Sequence, residues 1–145
     1  MARKPRQNRY FPDKTEAKWK AGVYARLSVS DNRVYGESLI YQLKLAQEAL
    51  LSKPDISFVK NYVDDGYSGM HFNRPAFQSM LEDLECGIIN CVIVKDVSRI
   101  GRDYLGACEL LLETFPDMGV RFISINDNYD NVSDVDELIA LEMIL

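Results

Sequence analysis

A chain of 145 residues that is 47% hydrophobic can bury about two thirds of its unfolded surface, which excludes a disordered tail or a disulfide-dependent miniprotein. The net charge is −5, and the basic residues are bunched: residues 1–20 hold seven of the 17 lysines and arginines against two acids, while the remainder carries 10 basic against 20 acidic residues. That balance excludes a broad basic face, so any hold on a polyanion must be local or supplied from elsewhere.

Residues 1–20 read as a basic N-terminal extension, with Trp19 anchoring it to a domain that occupies 21–145. The start has no apolar h-region, and no run is long enough to cross a bilayer, so a cytoplasmic location without membrane contact is expected. Cys86, Cys91 and Cys108 are odd in number and lack CxxC spacing, and they are expected to be reduced packing residues rather than metal ligands.

Four apolar runs alternate with four helical patterns, which predicts an open, mainly parallel α/β sheet with helices on both faces. The first strand is placed at Ala21–Leu27. A helix follows from the possible N-cap Ser38, with Leu39, Leu43, Ala46 and Leu50 on one face. The second strand is Ile56–Val63. A second helix is expected from Asn73-Arg74-Pro75, because Asn caps well and Pro is tolerated in the first turn, and Gly87 can stop it after Glu85. The third strand is Asn90–Lys95, and a helix from Tyr104 to Phe115 is expected to end before Pro116. The fourth strand is Arg121–Ile125. The last helix opens near Ser133-Asp134 and still runs at Leu145; Val135, Leu138, Ile139, Ala140, Leu141, Met143, Ile144 and Leu145 leave it almost no polar face. Such a helix must be buried, here or against another subunit, and the chain reads as a fragment of a longer protein.

In an open α/β sheet, ligands bind outside the carboxyl ends of the strands. Ser28 follows the first strand, Asp64-Asp65 the second, Ser98 to Arg102 the third and Asn126-Asp127 the fourth, so parallel strands would unite them on one edge. A hydroxyl nucleophile with several arginines suits attack on a phosphodiester, because guanidinium forks match phosphate oxygens and stay charged at cellular pH. The plainer reading makes Ser28 a turn residue, Arg26 a solvated strand end and Asp64 an ordinary turn aspartate. His71 reads as a surface loop residue, and Gly66 and Gly69 as glycines permitting positive φ.

Tyr24-x-Arg26-x-Ser28, Ser38-x-x-x-Gln42, Tyr62-x-Asp64-x-Gly66-x-Ser68-Gly69, Asn73-Arg74-Pro75 and Ser98-Arg99-x-Gly101-Arg102-Asp103 stand together in order over residues 22–145. In these blocks the chain resembles the catalytic domain of serine recombinases, the resolvase and DNA invertase family, and is most similar to the large serine recombinases of transposons and phages. The resemblance implies that Ser28 attacks double-stranded DNA to form a 5′-phosphoserine link, that Arg26, Arg74, Arg99 and Arg102 are active-site arginines, and that no metal or cofactor takes part. It also implies a site carboxylate at Asp64 or Asp65, with Asp64 preferred, a polar contact from Gln42, support from Tyr24, and homodimers that assemble into a tetramer through the last helix. Two features depart from the family. Many small resolvases carry Asp-Arg where Ser98-Arg99 stands, which removes an acid there, and the loop Asp31–Glu37 is long. Ser30 is a rival hydroxyl outside the motif's register. Two other classes compete: a metal-dependent nuclease using Asp64, Asp65, Asp96 and Asp103, and a non-enzymatic receiver-like signalling domain, whose acidic pair would stand where Arg26 and Ser28 do.

Overall fold

The computed structural model describes residues 18–28, 38–66, 74–101, 104–133 and 137–145. Ser30, the loop 31–37, Ser68, Gly69, His71, Asn73, Arg102 and Asp103 lie outside the described residues, as does the extension before Lys18.

Strands β1 (Trp19–Leu27), β2 (Ile56–Asp65), β3 (Cys91–Val94), β4 (Arg121–Ser124) and β5 (Tyr129–Asp130) form one sheet in the order β2-β1-β3-β4-β5. The first four are parallel, and β5 returns antiparallel on β4. This two-residue strand was not expected, since two residues are too few to show a period. Helix α1 (Leu39–Leu51) lies on one face, where Ala46, with Leu43 and Leu50 partly buried, packs on Ala21, Val23, Cys91, Ile93 and Ile123. The opposite face carries α2 (Pro75–Glu85) and the later helices over Tyr24, Tyr62, Val92, Val94 and Phe122. Every residue of β1 from Ala21 to Leu27 is buried, because both faces are covered.

Local chemistry explains most boundaries. Ser38 caps α1, its Oγ accepting from the Tyr41 amide at 3.1 Å. Gly87, at φ 78°, ends α2. Arg74 holds the N-cap position of α2 without a side-chain cap bond, and Asp64 of β2 supplies the acceptor from across the site. The helix expected to stop before Pro116 runs on. It comprises α3 (Tyr104–Cys108), a π-wound segment Glu109–Thr114 and α4 (Phe115–Met118). Proline lacks one amide and crowds the carbonyl four residues back, and the wider π winding just before it absorbs that misfit. Gly119, left-handed at φ 72°, is the actual terminator.

The last helix is α5 (Glu137–Ile144); Ser133, expected near its opening, is in a turn, its hydroxyl donating to the Asp130 carbonyl at 3.2 Å, and Asp134 and Val135 lie outside the described residues. Only part of it is covered: Ala140, Met143 and Ile144 pack on the core, while Leu138 and Leu145 are 65% and 85% exposed. β1 begins two residues before Ala21. Trp19 opens β1, packs on the α1-side cluster and lies 5.5 Å under the Arg121 guanidinium, which bonds Asp55 and Asp130 at 3.0 and 2.6 Å. All three cysteines are free, but only Cys91 is a fully buried packing residue, and burial pushes its thiol up to about 12. Cys86 is exposed at the end of α2, so the packing expectation fails there.

Gly22 marks the tightest approach in the sheet. The register slips between Ala21 and Gly22, whose partners on β2 are Phe58 and Lys60, and the Tyr62 ring lies across the bare α-carbon. A β-carbon there would stand 2.5 Å from Tyr62 Cε2 and 2.9 Å from Ile89 Cδ1. Gly22→Ala is therefore expected to destabilise the fold by about 1–3 kcal/mol, the usual range for overpacking, measured as a lower denaturation midpoint with an unchanged slope.

Candidate active site

The chain leaves β1 toward β2 on one side and later returns to place β3 on the other, so the crevice opens at the carboxyl ends of β1 and β3. Ser28 is the first residue after β1 and is half-buried. After β3 the chain makes a 3₁₀ turn at Val97–Arg99. These two segments, joined across the switch point, form the floor of the site.

Arg26, Arg74 and Arg99 converge here and all three are buried, at 0%, 1% and 2% exposure. Arg26 is thus not a solvated strand end. Its Nε and Nη2 donate to the carbonyls of Arg99 and Ser98 at 3.3 and 2.8 Å, while Arg99 Nη1 returns a bond to the Arg26 carbonyl at 2.7 Å. Arg74 Nη1 donates to the Arg99 carbonyl at 2.8 Å, and its Nη2 donates to the carbonyl of Ile100. Three successive carbonyls of the turn, 98 to 100, therefore hold two guanidiniums contributed by β1 and by the start of α2. Buried charges need such acceptors, because an unpartnered ion in the interior is strongly unfavourable.

Tyr24 links this cluster to the acidic side. Its hydroxyl donates to Asp64 Oδ2 at 2.8 Å and accepts from Arg74 Nη1 at 3.1 Å. The Arg74 guanidinium lies over the rings of Phe77 and Tyr24, at 4.4 and 5.5 Å from their centroids. Burial raises the Tyr24 phenol well above its usual value, with Arg74 opposing and Asp64 reinforcing that shift, so it remains a donor at cellular pH. Burial also lowers the Arg74 value, against Tyr24 and Asp64, but arginine starts so high that it stays a cation.

Asp64 does two tasks at once. Its Oδ1 accepts from the Ala76 amide at 2.9 Å and its Oδ2 from the Phe77 amide at 3.0 Å, so it is the N-terminal cap of α2 as well as the acceptor for Tyr24. Asp64 is buried, whereas Asp65, its neighbour, is exposed on the other side of the strand. Gln42 of α1 is buried as well and brackets Arg26, accepting from its amide at 3.3 Å and donating to its carbonyl at 3.0 Å. Of the residues predicted from sequence, Ser28, Arg26, Arg74, Arg99, Tyr24, Gln42, Asp64 and Ser98 meet at this edge. Arg102 lies outside the described residues.

Sequence reasoning gave Lys95 no part in this site, placed Asp127 at this edge only by its position after the fourth strand, and named Asp96 only in the nuclease alternative. Asp96 accepts from the Ser98 amide at 3.1 Å, from the Ser98 hydroxyl, from Arg99 Nε at 3.4 Å and from the buried Lys95 ammonium at 3.2 Å. Burial works to raise its carboxyl, but the Ser98 bond, Arg99 and Lys95 win and hold it below the usual range. Asp127, after β4, accepts from the Val97 amide at 2.9 Å and from the Ser124 hydroxyl at 2.6 Å, fastening the turn to the neighbouring strand. An N-cap signal, Asp96 two residues before Ser98, was available in the sequence and points to this turn. Among the described residues, no three His, Cys, Asp or Glu side chains come together to hold a metal ion.

Replacing Asp64 by Ala removes the acceptor for two helix amides and one buried phenol. It is expected to cost about 2–4 kcal/mol, since each buried donor left without a partner costs about 1–3 kcal/mol. Asp65→Ala is expected to leave the denaturation midpoint unchanged; equal losses from the two variants would show that the cap of α2 is not what Asp64 contributes.

Known proteins share this fold. Residues 21–144 match the family model for the resolvase N-terminal domain. A protein of Bacillus subtilis (strain 168), named as a DNA recombinase, is 28% identical over 109 residues; the match takes in 75% of this chain but only 21% of that protein. The N-terminal catalytic domain of TP901-1 integrase superposes with a TM-score of 0.74 at 26% identity, covering 86% of this chain and 90% of that one. A resolvase family site-specific recombinase from Streptococcus pneumoniae superposes at 0.64 with 29% identity, covering 88% and 83% of the two chains. The C-terminal catalytic domain of ISC1926 TnpA, an IS607-like serine recombinase, superposes at 0.61 with 25% identity, covering 84% and 79%. With the family model spanning nearly the whole described sheet and its helices, the chain belongs to the resolvase N-terminal domain family, and its fold is that of a serine recombinase catalytic domain.

Proposed function

We propose that this chain cuts and rejoins double-stranded DNA through Ser28, as the catalytic domain of a site-specific recombinase. The observation that carries the reading is the convergence of three buried arginines, Arg26, Arg74 and Arg99, on the strand end that presents Ser28, in a chain of this family. In the reaction, Ser28 Oγ forms a bond to phosphorus as the bond from phosphorus to the 3′ oxygen breaks. The serine proton departs and the 3′ oxygen takes one up, leaving a 5′-phosphoserine and a free 3′-hydroxyl. Rejoining reverses the exchange with a hydroxyl from the partner strand, so one phosphodiester replaces another and no ATP is consumed.

Charge accumulates on the nonbridging oxygens in the transition state, and fixed guanidiniums stabilise it. Removal of one such donor typically slows a reaction about 10²- to 10³-fold. An anionic oxygen is a stronger acceptor than the neutral carbonyls that hold these groups here, so a phosphate can replace carbonyl 98, 99 or 100 as a partner without carrying a guanidinium through water. Arg102 belongs to the same set by its position in the motif. Asp64 and Tyr24 orient Arg74, and Gln42 orients the end of β1. The working location is the cytoplasm, where the DNA is.

Assembly follows from the uncovered side of the last helices. Leu105 of α3 is 74% exposed, Leu138, Ile139 and Leu145 of α5 are exposed as well, and α3 packs on α5. This apolar face is the contact through which homodimers form and pair into a tetramer on DNA. Leu138 and Leu145 are better contact centres than Ile144, which the chain's own core already takes up. Leu138→Glu with Leu145→Glu is expected to shift sedimentation toward the monomer while circular dichroism stays unchanged; a wild-type chain that is monomeric at high concentration would remove this face as the assembly surface.

For the chemistry, the test is a duplex selected from a random-sequence pool by the intact protein that carries this domain. Denaturing gels should reveal a protein–DNA adduct with the wild type, mapped by mass spectrometry to Ser28. Ser28→Ala should form none, with binding and fold intact, and Ser30→Ala should still form it. An adduct in Ser28→Ala, or one mapped to another residue, would overturn the assignment.

A further inference from the structure

The geometry points to Asp96 as the residue that positions all three guanidiniums of the site at once, a role that rests on the recombinase reading of that site. Asp96 has the extended backbone of a cap, φ −152° and ψ 166°, and its side chain closes the 3₁₀ turn Val97–Arg99 by accepting from the Ser98 amide at 3.1 Å. That turn is the one whose carbonyls hold the other two arginines: Ser98 and Arg99 accept from Arg26, and Arg99 and Ile100 accept from Arg74. The same Oδ1 pairs directly with the third, lying 3.4 Å from Arg99 Nε, and takes the Ser98 hydroxyl, to which Arg99 Nη2 donates at 3.1 Å. One carboxylate oxygen therefore sets the turn that grips Arg26 and Arg74 and restrains Arg99 by two routes.

The remaining oxygen is held as firmly. Oδ2 accepts from Lys95 Nζ at 3.2 Å, and Lys95 is itself buried at 6% exposure, so the carboxylate is fixed between a buried ammonium at the end of β3 and the guanidinium beyond the turn. Asp127 ties down the preceding amide, Val97, which prevents the turn from rotating as a unit. Asp96 bonds Arg99, Ser98 and Lys95, and acts on Arg26 and Arg74 only through the turn that it closes. It is a positioning residue, and Ser98 is the hydroxyl through which it reaches Arg99.

Two variants separate this role from simple capping. Asp96→Asn keeps a side-chain acceptor for the Ser98 amide, and Asn caps as well as Asp, so the fold should be retained, with a lower melting temperature because Lys95 and Arg99 lose a charged partner; Asp96→Ala removes both the cap and the charge. In the intact protein, on the duplex selected from a random pool, Asp96→Asn is expected to slow single-turnover adduct formation about tenfold to a hundredfold with duplex binding unchanged, and Asp96→Ala to slow it more. In the ¹⁵N-labelled chain, the Arg99 Nε–H resonance should shift in Asp96→Asn, where the accepting oxygen loses its charge, and lose protection from exchange in Asp96→Ala, where the acceptor is gone. A merely structural cap would leave Asp96→Asn as fast as the wild type with the Arg99 Nε–H resonance unshifted, and that result overturns the proposal. If the wild type itself forms no adduct, the recombinase reading falls and this role falls with it; an adduct in the wild type matched by an equally fast Asp96→Asn overturns the role of Asp96 alone.

Discussion

Burying three guanidiniums at a strand end is the constraint from which the rest of this site follows. A buried charge is tolerated only where acceptors surround it, and here most acceptors are main-chain carbonyls: Arg26, Arg74 and Arg99 share the carbonyls of 26 and 98 to 100, and Arg99 also pairs with a carboxylate, that of Asp96. The choice has a chemical consequence. Carboxylates in place of the carbonyls that hold Arg26 and Arg74 would neutralise them, whereas carbonyls accept their hydrogens and leave their charge in place.

That turn sits correctly only because the sheet is rigid on both sides of it. β1 is covered by α1 on one face and by α2 and the later helices on the other, so Arg26 leaves a strand that cannot shift. The closeness of β1 to β2 is set by Gly22, which lets the Tyr62 ring cross the strand and holds β2, and therefore Asp64, in register with Arg26. Asp64 then carries that register into α2 by capping it, which fixes Arg74 at the first position before the helix. Packing in the middle of the sheet is thus read out as guanidinium positions at its edge.

Much of this was legible in the sequence. Alternation of apolar runs with 3.6-residue periods located the four parallel strands, and the polar residues after each run located the edge where they meet. Short-range signals also held where the partner is close in sequence, as with Ser38 and Gly87. What could not be read depends on partners distant in the chain. Asn73-Arg74-Pro75 looks like a helix start with its own cap, but the acceptor comes from Asp64, placed there by strand pairing. Pro116 looks like a terminator, and it would be one in a helix of uniform winding; tertiary packing of Leu111 and Phe115 on the core keeps the helix going through a π turn. β5 is held by its pairing with β4, and by Asp130 on Arg121, instead of by any period of its own.

The same distinction separates two neighbouring aspartates, of which the motif spacing from Tyr62 favours Asp64. Asp64 and Asp65 are adjacent and equally near the strand end, so spacing along the chain gives the preference without its physical cause. Alternation along β2 supplies it. Asp64 pairs with Arg26 on the face that carries Tyr24 and α2, whereas Asp65 falls on the other side, so a slip of one residue would exchange their surroundings completely. The bulge at Val59, between the partners of Ala21 and Gly22, is the feature that sets this phase: without it Asp65 would face the cap of α2, and Asp64 would be turned away from Tyr24 and the arginines. A local irregularity near the start of the strand therefore determines which carboxylate reaches the site at its end.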